Sequence, residues 1–396
     1  MTKRNLLTVC LLAVAAMACT RQETMEELTA RVFERAAVQV KLMDTVLDEI
    51  AAQNPGVPVY PRSINKDGSF WSSNYKWWCS GFFPGSLWYV YEYTGDEKYK
   101  ELALKYQAGL EQLRYRTDDH DIGFQLMCTY GNCLRITADS LSVPVLIDGA
   151  NSLATRFNPA VGCTKSWDNK KYAFSVIIDN MMNLELLFKA HELGGPDSLK
   201  DVAISHAYTT MKNHYREDKS TRHLLDYNPE TGEVVMVYAG QGFSTESAWA
   251  RGQAWGLYAF PMVYRFTKDP QILEHAVAAA EYIIPRLPED GIPYWDFDSP
   301  EIPNDVKDAS AAAIMACGLI ELSTYVDDVK AQKYLDVAQK MIRTLASDEY
   351  LAAEGEAHGF LLKHSTGFRL RNSEVDVPLT YADYYFLEAL MRWAAL

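Results

Sequence analysis

Thr267-Lys-Asp-Pro-Gln-Ile272 stands between two stretches of helical periodicity, 245–267 and 270–286, and reads as a tight helix–helix turn. Asp269 takes the N-cap position, where a short side-chain oxygen meets the free N–H groups of the next helix. Similar turns recur at Thr94-Gly-Asp-Glu-Lys-Tyr99, Gly194-Gly-Pro-Asp-Ser-Leu199 and Val326-Asp-Asp-Val-Lys-Ala331. Each is read as placing an Asp at an N-cap, with an alanine one or two turns on, as expected where hairpin helices pack closely. The recurrence is a weak internal repeat with irregular insertions.

Working outward, helical patterning covers 24–52, a helix ending at Tyr93, then 96–115, 122–137, 143–157, 177–193, 197–216, 245–267, 270–286, 308–326, 328–346 and 381–394. Thr24 and Glu27 have capping-box spacing at the first start, and Pro55 and Pro58 close that helix. Twelve helices in consecutive hairpins predict an all-α fold, an (α/α)6 barrel whose alternate helices form an inner ring. Its long loops, at 53–80, 159–175, 217–244, 287–307 and 347–380, gather at one end. One small β-hairpin is expected over 223–238, turning at Pro229 to Gly232.

A chain of 396 residues with 48% hydrophobic residues can form one large core. Its 24 Tyr and 9 Trp exceed core needs, a surplus that lines sugar or base sites. A net charge of -14 argues against nucleic acid, so an anionic ligand must be met by a few well-placed cations. Residues 1–19 have a basic start, an apolar run from Leu6 to Ala18 and small residues before Cys19, the pattern of an export signal too short to span a membrane. Ala16-Met-Ala-Cys19 resembles a bacterial lipoprotein cleavage box with Ala16 where Leu is usual. Cys19 lipidation and plain periplasmic release are the two outcomes, with 20–396 as a single catalytic domain. Cys79, Cys128, Cys133, Cys163 and Cys317 show no disulfide or zinc spacing and read as buried thiols.

The stretch Ala239 to Phe260 places Arg251 among Trp249, Trp255 and Tyr258 after a loop containing Gly240 and Gly242. Two readings are open: an arginine paired with a carboxylate inside the fold, or a pocket in which Arg251 takes a substrate carboxylate beside stacking tryptophans. Asp121 opens a helix beside His120, Asp179 lies among Ile177, Ile178 and Met181, and Asp308 precedes a run of alanines. An aspartate with apolar neighbours is either a cap or a functional acid; burial should raise the pKa of Asp179 and keep it protonated near neutral pH. Two such carboxyls on one rim are the layout of glycosidic chemistry.

Seven ordered blocks, from Trp78-Cys-Ser-Gly-Phe-Phe-Pro-Gly-Ser-Leu-Trp88 through His120-Asp-Ile-Gly-Phe124, Ile178-Asp-Asn-Met-Met-Asn183, Trp249-Ala-Arg-Gly-Gln-Ala-Trp-Gly256, Pro293-Tyr-Trp-Asp-Phe297 and Asp308-Ala-Ser-Ala-Ala-Ala-Ile314 to Tyr381-Ala-Asp-Tyr-Tyr-Phe-Leu-Glu-Ala-Leu390, resemble the unsaturated glucuronyl hydrolases, glycoside hydrolase family 88. The resemblance runs from about residue 25 to the C-terminus. It implies an (α/α)6 barrel and removal of a 4,5-unsaturated uronic acid from the non-reducing end of lyase-generated oligosaccharides, glycosaminoglycan fragments first among them. It also implies Asp179 as catalytic acid/base, Asp121 as the second essential aspartate, and Trp78, Trp167, His223, Gln241, Arg251 and Trp255 as substrate contacts. Arg251 is assigned to the uronate carboxylate, and Trp255 and Trp78 to stacking on the ring.

The chemistry implied is hydration of an enol ether: protonation at C4, water addition at C5 and spontaneous opening of the hemiketal. It requires neither metal nor cofactor. The rivals are an unsaturated rhamnogalacturonyl hydrolase acting on pectin fragments and a glycan-binding lipoprotein without activity. Lys363 and Ser365, in the loop Lys363-His-Ser-Thr-Gly-Phe-Arg369, are read either as contacts for a sulfate or distal sugar or as solvated basic surface.

Overall fold

Six helices are buried around almost their whole circumference and six along one stripe, and the two kinds alternate along the chain in this computed structural model, which describes residues 21–53 and 55–396. The amphipathic set is α1 (Met25–Gln53), α3 (Glu97–Ala108), α5 (Ser142–Ala154), α7 (Asp197–Asn213), α9 (Pro270–Ile283) and α11 (Asp328–Leu345). The enclosed set is α2 (Phe82–Thr94), α4 (122–137), α6 (Leu184–Glu192), α8 (Ala250–Thr267), α10 (Ala309–Ser323) and α12 (Thr380–Ala394). A helix with a single apolar stripe can face water; one that is apolar all round has to be surrounded. Each enclosed helix touches its neighbours in the ring, with α12 returning to α2, so the (α/α)6 barrel closes. The twelve expected helices are all present, counting 122–137 as one helix with a π turn at Met127–Gly131. The signal segment and Cys19 lie outside the described residues. No helix among the described residues is long and apolar enough to cross a membrane.

The start of α1 is the reciprocal capping box expected: Glu27 N–H donates to Thr24 Oγ1 at 3.2 Å and Thr24 N–H to Glu27 Oε2 at 2.8 Å. Asp96, Asp269 and Asp327 cap α3, α9 and α11 as read from the turns. Asp197 does not; Pro196 takes the N-cap position and Asp197 begins α7. All five cysteines after the signal segment are buried and free.

The expected hairpin forms from β6 (Leu224–Tyr227) and β7 (Val234–Tyr238), and β5 (Ser175–Ile177) adds to it as a third antiparallel strand. Sequence reading missed the other strand pairs: β1 (Val59–Ile64) with β2 (Phe70–Asn74), the short β3 (Phe157–Asn158) with β4 (Cys163–Thr164), and β8 (Ser365–Phe368) with β9 (Ser373–Val377). Pro61 and a register shift break the alternation in the first, and Gly367 with a register shift breaks it in the last. The first of these pairs leads into the 3-10 turn Trp78–Gly81 before α2, and the last lies against the start of α10.

Candidate active site

The N-terminal ends of the inner helices meet. Trp78 precedes α2, Asp121 stands at the N-cap of α4, and Asp179 lies in the 3-10 turn Ile178–Asn183 that runs into α6. Arg251 is in the first turn of α8, Asp308 caps α10 and Tyr381 is in the first turn of α12. Their side chains touch across the ring: Trp78 lies 4.8 Å from Tyr381 and 5.5 Å from Phe124, and the Arg251 guanidinium is 5.5 Å from Tyr381. Helix N-termini carry partial positive charge, so six of them at one mouth favour an anion.

Asp179 is held from two sides. Ile178 N–H donates to the carbonyl of His223 at 3.0 Å, tying the 3-10 turn to β6. Beside it, Asn180 donates to Thr164 O at 2.8 Å and accepts from Ser166 Oγ at 2.8 Å. The His223 ring then faces the carboxylate, with Nε2 at 3.4 Å from Asp179 Oδ2, long for a hydrogen bond. Gln241 N–H donates to the other ring nitrogen, Nδ1, at 2.8 Å. This close approach needs Gly240, whose φ is +62° and whose hypothetical Cβ would lie 1.8 Å from that same nitrogen.

On the opposite side, Asp121 is buried but makes no side-chain cap. Its Oδ1 is 3.5 Å from His120 Nδ1. Asn183 ties the two acidic segments together: its Oδ1 accepts from Phe124 N–H at 2.9 Å and its Nδ2 is 3.4 Å from His120 Nδ1. Gly123 permits the contact, because a Cβ there would come within 2.5 Å of Asn183 Cα. Asp119, His120 and Asp121 bring ligand-type atoms within 4.8 Å of one another. Asp119 already accepts from Asp121 N–H and from Arg116, so the trio is a hydrogen-bonded acidic cluster.

The charges differ from the expectation. Burial pushes the Asp179 carboxyl up, but the neighbouring His223 first and Arg251 after it outweigh the burial, and the net shift is below the ordinary carboxylate value. Asp121 is the carboxyl driven well above its usual range, by burial first and then by the fields of Asp119 and Asp179. Burial lowers His120 to about 4, which leaves its ring neutral. The two carboxyls are thus shifted in opposite directions, and the shift at Asp179 runs opposite to the one expected from its apolar neighbours.

Arg251 also departs from its assigned role. It is 2% exposed, and its four terminal N–H groups are engaged by Asp308 Oδ2 at 2.7 Å, Thr366 O at 2.6 Å, Gln241 Oε1 at 2.8 Å and Gly367 O at 2.6 Å. The ring of Trp249 lies 4.5 Å from the guanidinium. Only the Nε–H is left, too few for a two-pronged clamp on a substrate carboxylate, so this structure shows the internal pairing, with Asp308 as its partner and as a satisfied cap. Trp255 is fully buried, 5.2 Å from Phe124 and 5.6 Å from Tyr385, and plugs the barrel axis below the mouth, where it has no open face to offer a ring. Trp78 and Trp167 keep partial exposure, and Trp167 stands 5.9 Å from His120. Ser365 is fully buried, its Oγ without a hydrogen-bond partner, and Lys363 donates to Asp348 O at 3.0 Å. Trp249 was read from the sequence as a neighbour of Arg251, whereas Asn183, Tyr381 and the carbonyls of 366–367 were not singled out as site groups.

The chain from 57 to 394 matches the family model Glycosyl Hydrolase Family 88. It is 44% identical, over 80% of each chain, to the unsaturated glucuronyl hydrolase of Formosa agariphila. Among solved structures it superposes with a TM-score of 0.87 on an unsaturated glucuronyl hydrolase specific for heparin, at 45% identity, covering 93% of this chain and 98% of that one. An Asp-to-Asn variant of the Streptococcus agalactiae enzyme complexed with dGlcA-GalNAc6S matches at 30% identity and a TM-score of 0.77, over 94% of this chain and 93% of that one. With this barrel, two buried aspartates at its mouth and these relatives, the chain belongs to glycoside hydrolase family 88.

Proposed function

We propose that this enzyme removes 4,5-unsaturated uronic acid from the non-reducing end of lyase-generated oligosaccharides, glycosaminoglycan fragments first among them, by hydrating the C4=C5 enol ether. The feature that carries the reading is a pair of buried aspartates, Asp121 and Asp179, whose segments are tied through Asn183 under one ring of helix N-termini, their carboxyl pKa values pushed in opposite directions. Such divergence between neighbouring carboxyls is how a site provides an acid and a base at one pH.

One proton serves the pair. As the uronate enters and adds its negative charge, the proton passes from Asp121 to Asp179, and Asp179 delivers it to C4. The cation left across C5 and the ring oxygen faces the now anionic Asp121. Asp179, ionised again, draws a proton from the water that adds to C5. That proton returns to Asp121, the hemiketal opens and the next sugar leaves. His223 and Gln241 hold Asp179 in place, and Trp78 and Trp167 border the ring.

Unsaturated disaccharides from chondroitin, hyaluronan, heparin and ulvan, offered side by side, should lose their ultraviolet absorbance, with a saturated glucuronide untouched. Asp179→Asn should reduce kcat by at least about 1,000-fold while leaving disaccharide binding intact. Asp121→Asn should also lower kcat. Equal cleavage of the saturated glucuronide, or an Asp179→Asn variant keeping a tenth of wild-type kcat, would refute the mechanism. A glycan-binding protein without activity would give no absorbance loss with any of the four.

The same reading places the enzyme outside the cytoplasm, with residues 1–19 as export signal and Cys19 as the lipid-bearing residue, on the strength of its basic start and apolar run. Fatty-acid labelling that disappears in Cys19→Ala is the result expected; labelling that persists would exclude Cys19.

A further inference from the structure

Two helix-cap residues of the site leave their own helices uncapped. Asp121 stands at the N-cap of α4 and Asn183 at the N-cap of α6, and neither side chain accepts from its own first turn. Aspartate and asparagine are favoured at that position because they ordinarily do so. Asn183, 1% exposed, turns across to the other segment, where its Oδ1 accepts from Phe124 N–H at 2.9 Å and its Nδ2 lies 3.4 Å from His120 Nδ1. It belongs to the same 3-10 turn as Asp179, so one amide spans the two acidic segments. The approach leaves no room for a side chain between them: a Cβ on Gly123 would fall 2.5 Å from Asn183 Cα and 2.6 Å from its Oδ1.

The amide has one orientation open to it. A backbone N–H only donates, so the atom it meets is the oxygen, and the atom facing His120 is the amide nitrogen with its two hydrogens. A donor opposite Nδ1 makes that ring nitrogen the acceptor and leaves the ring proton on Nε2. The ring is 1% exposed, and burial keeps it neutral. The Nδ1 lone pair therefore lies 3.5 Å from Asp121 Oδ1. Among the described residues no N–H or hydroxyl donates to the Asp121 carboxyl, whereas the comparably buried Asp226 accepts from the N–H groups of Ala173 and Phe174. A carboxyl that faces a lone pair in place of donors is disfavoured as an anion, and its protonated form supplies the hydrogen that the lone pair lacks.

We propose that Asn183 is a positioning residue that keeps Asp121 as the proton-bearing acid, by locking the His120 tautomer that turns a lone pair toward it. The inference rests on the hydrolase reading above. The charged groups facing Asp121 and His120 are Asp119, Asp179, Arg116 and Arg156, and Asn183→Ala leaves all four in place. In that variant the ring is free to present an Nδ1–H to Asp121 and favour its ionised form. The basic limb of kcat/KM, set by loss of the Asp121 proton, should move to lower pH. A merely structural loss would lower kcat at every pH and leave the limb where it is, and that result would overturn the proposal. Nitrogen-15 NMR of the histidine-labelled full chain reads the tautomer directly, with the His120 signals assigned by their disappearance in His120→Asn. The unaltered enzyme should show a neutral ring with a protonated Nε2 and a bare Nδ1; a proton on Nδ1 would overturn the proposal, including where Asn183→Ala fails to fold. The spectrum needs no substrate, so a chain inactive on all four unsaturated disaccharides would remove the hydrolase reading while the tautomer is judged by its own signals.

Discussion

The Gln241 N–H donates to Nδ1 of His223 over 2.8 Å, so that nitrogen is an acceptor and the ring proton belongs on Nε2, the atom facing Asp179. A donor beside a buried carboxylate favours its ionised form and lowers its pKa.

Replacing His223 by Ala should therefore raise the pKa of Asp179. On the proposed mechanism the kcat/KM profile requires Asp179 ionised in the free enzyme, so its acid limb should move to higher pH. The pH dependence of kcat/KM for the two enzymes measures this; an acid limb that stays in place would remove His223 from the role.

Arg251 holds together parts of the chain far apart in sequence: the Gln241 loop, the cap of α10 and the 366–367 carbonyls. Lysine cannot reproduce four directed bonds, and Arg251→Lys would leave Asp308 and two carbonyls short of donors. A loss of about 3 kcal/mol in stability is expected, from the range for breaking a buried pair, seen as a lowered urea midpoint alongside reduced kcat. A change in KM alone, with stability intact, would restore the carboxylate-binding role.

His364 and Asp376 close the base of the β8–β9 hairpin at 2.7 Å. The carboxylate raises the His364 pKa, and the imidazolium lowers that of Asp376; Lys363 and Glu349 are the other charges facing His364. For the histidine, stability is present below its unfolded value and lost as pH rises through the raised one. For the aspartate it is present above its unfolded value and lost as pH falls through the lowered one. The pair thus contributes most between about pH 4 and 6.5. His364→Asn, which tolerates the left-handed φ of +59° there, should lower Tm in that window and match the wild type well above it. Tm measured across pH for both proteins checks this.

The helices were legible because inner and outer helices carry different patterns, all-round apolar against a single stripe, and because three of four turn aspartates are true caps. The 347–380 region was not legible: Ala357, His358, His364, Asn372, Glu374 and Asp376 all adopt positive φ, a conformation that non-glycine residues do not announce. Asp121 and Asp179 could be singled out by their neighbours in sequence, but their charge states could not. The donor that pulls Asp179 down is His223, just before β6, and the acid that pushes Asp121 up includes Asp119, two residues away but turned toward it. The partners of Arg251 likewise arrive from 308 and 366–367, so local sequence marked the arginine and not its purpose.

The ring of positive helix ends sits inside a protein of net charge -14, and the two act over different distances. A uronate still far from the surface meets an adverse field that dissolved salt shortens from about 30 Å at 0.01 M to about 10 Å at 0.1 M, whereas dipoles within contact range are little screened. Catalytic efficiency on charged disaccharides should accordingly climb as ionic strength rises over that interval, opposite to enzymes that steer their substrates in, and stopped-flow measurement of substrate capture would register it as a faster encounter.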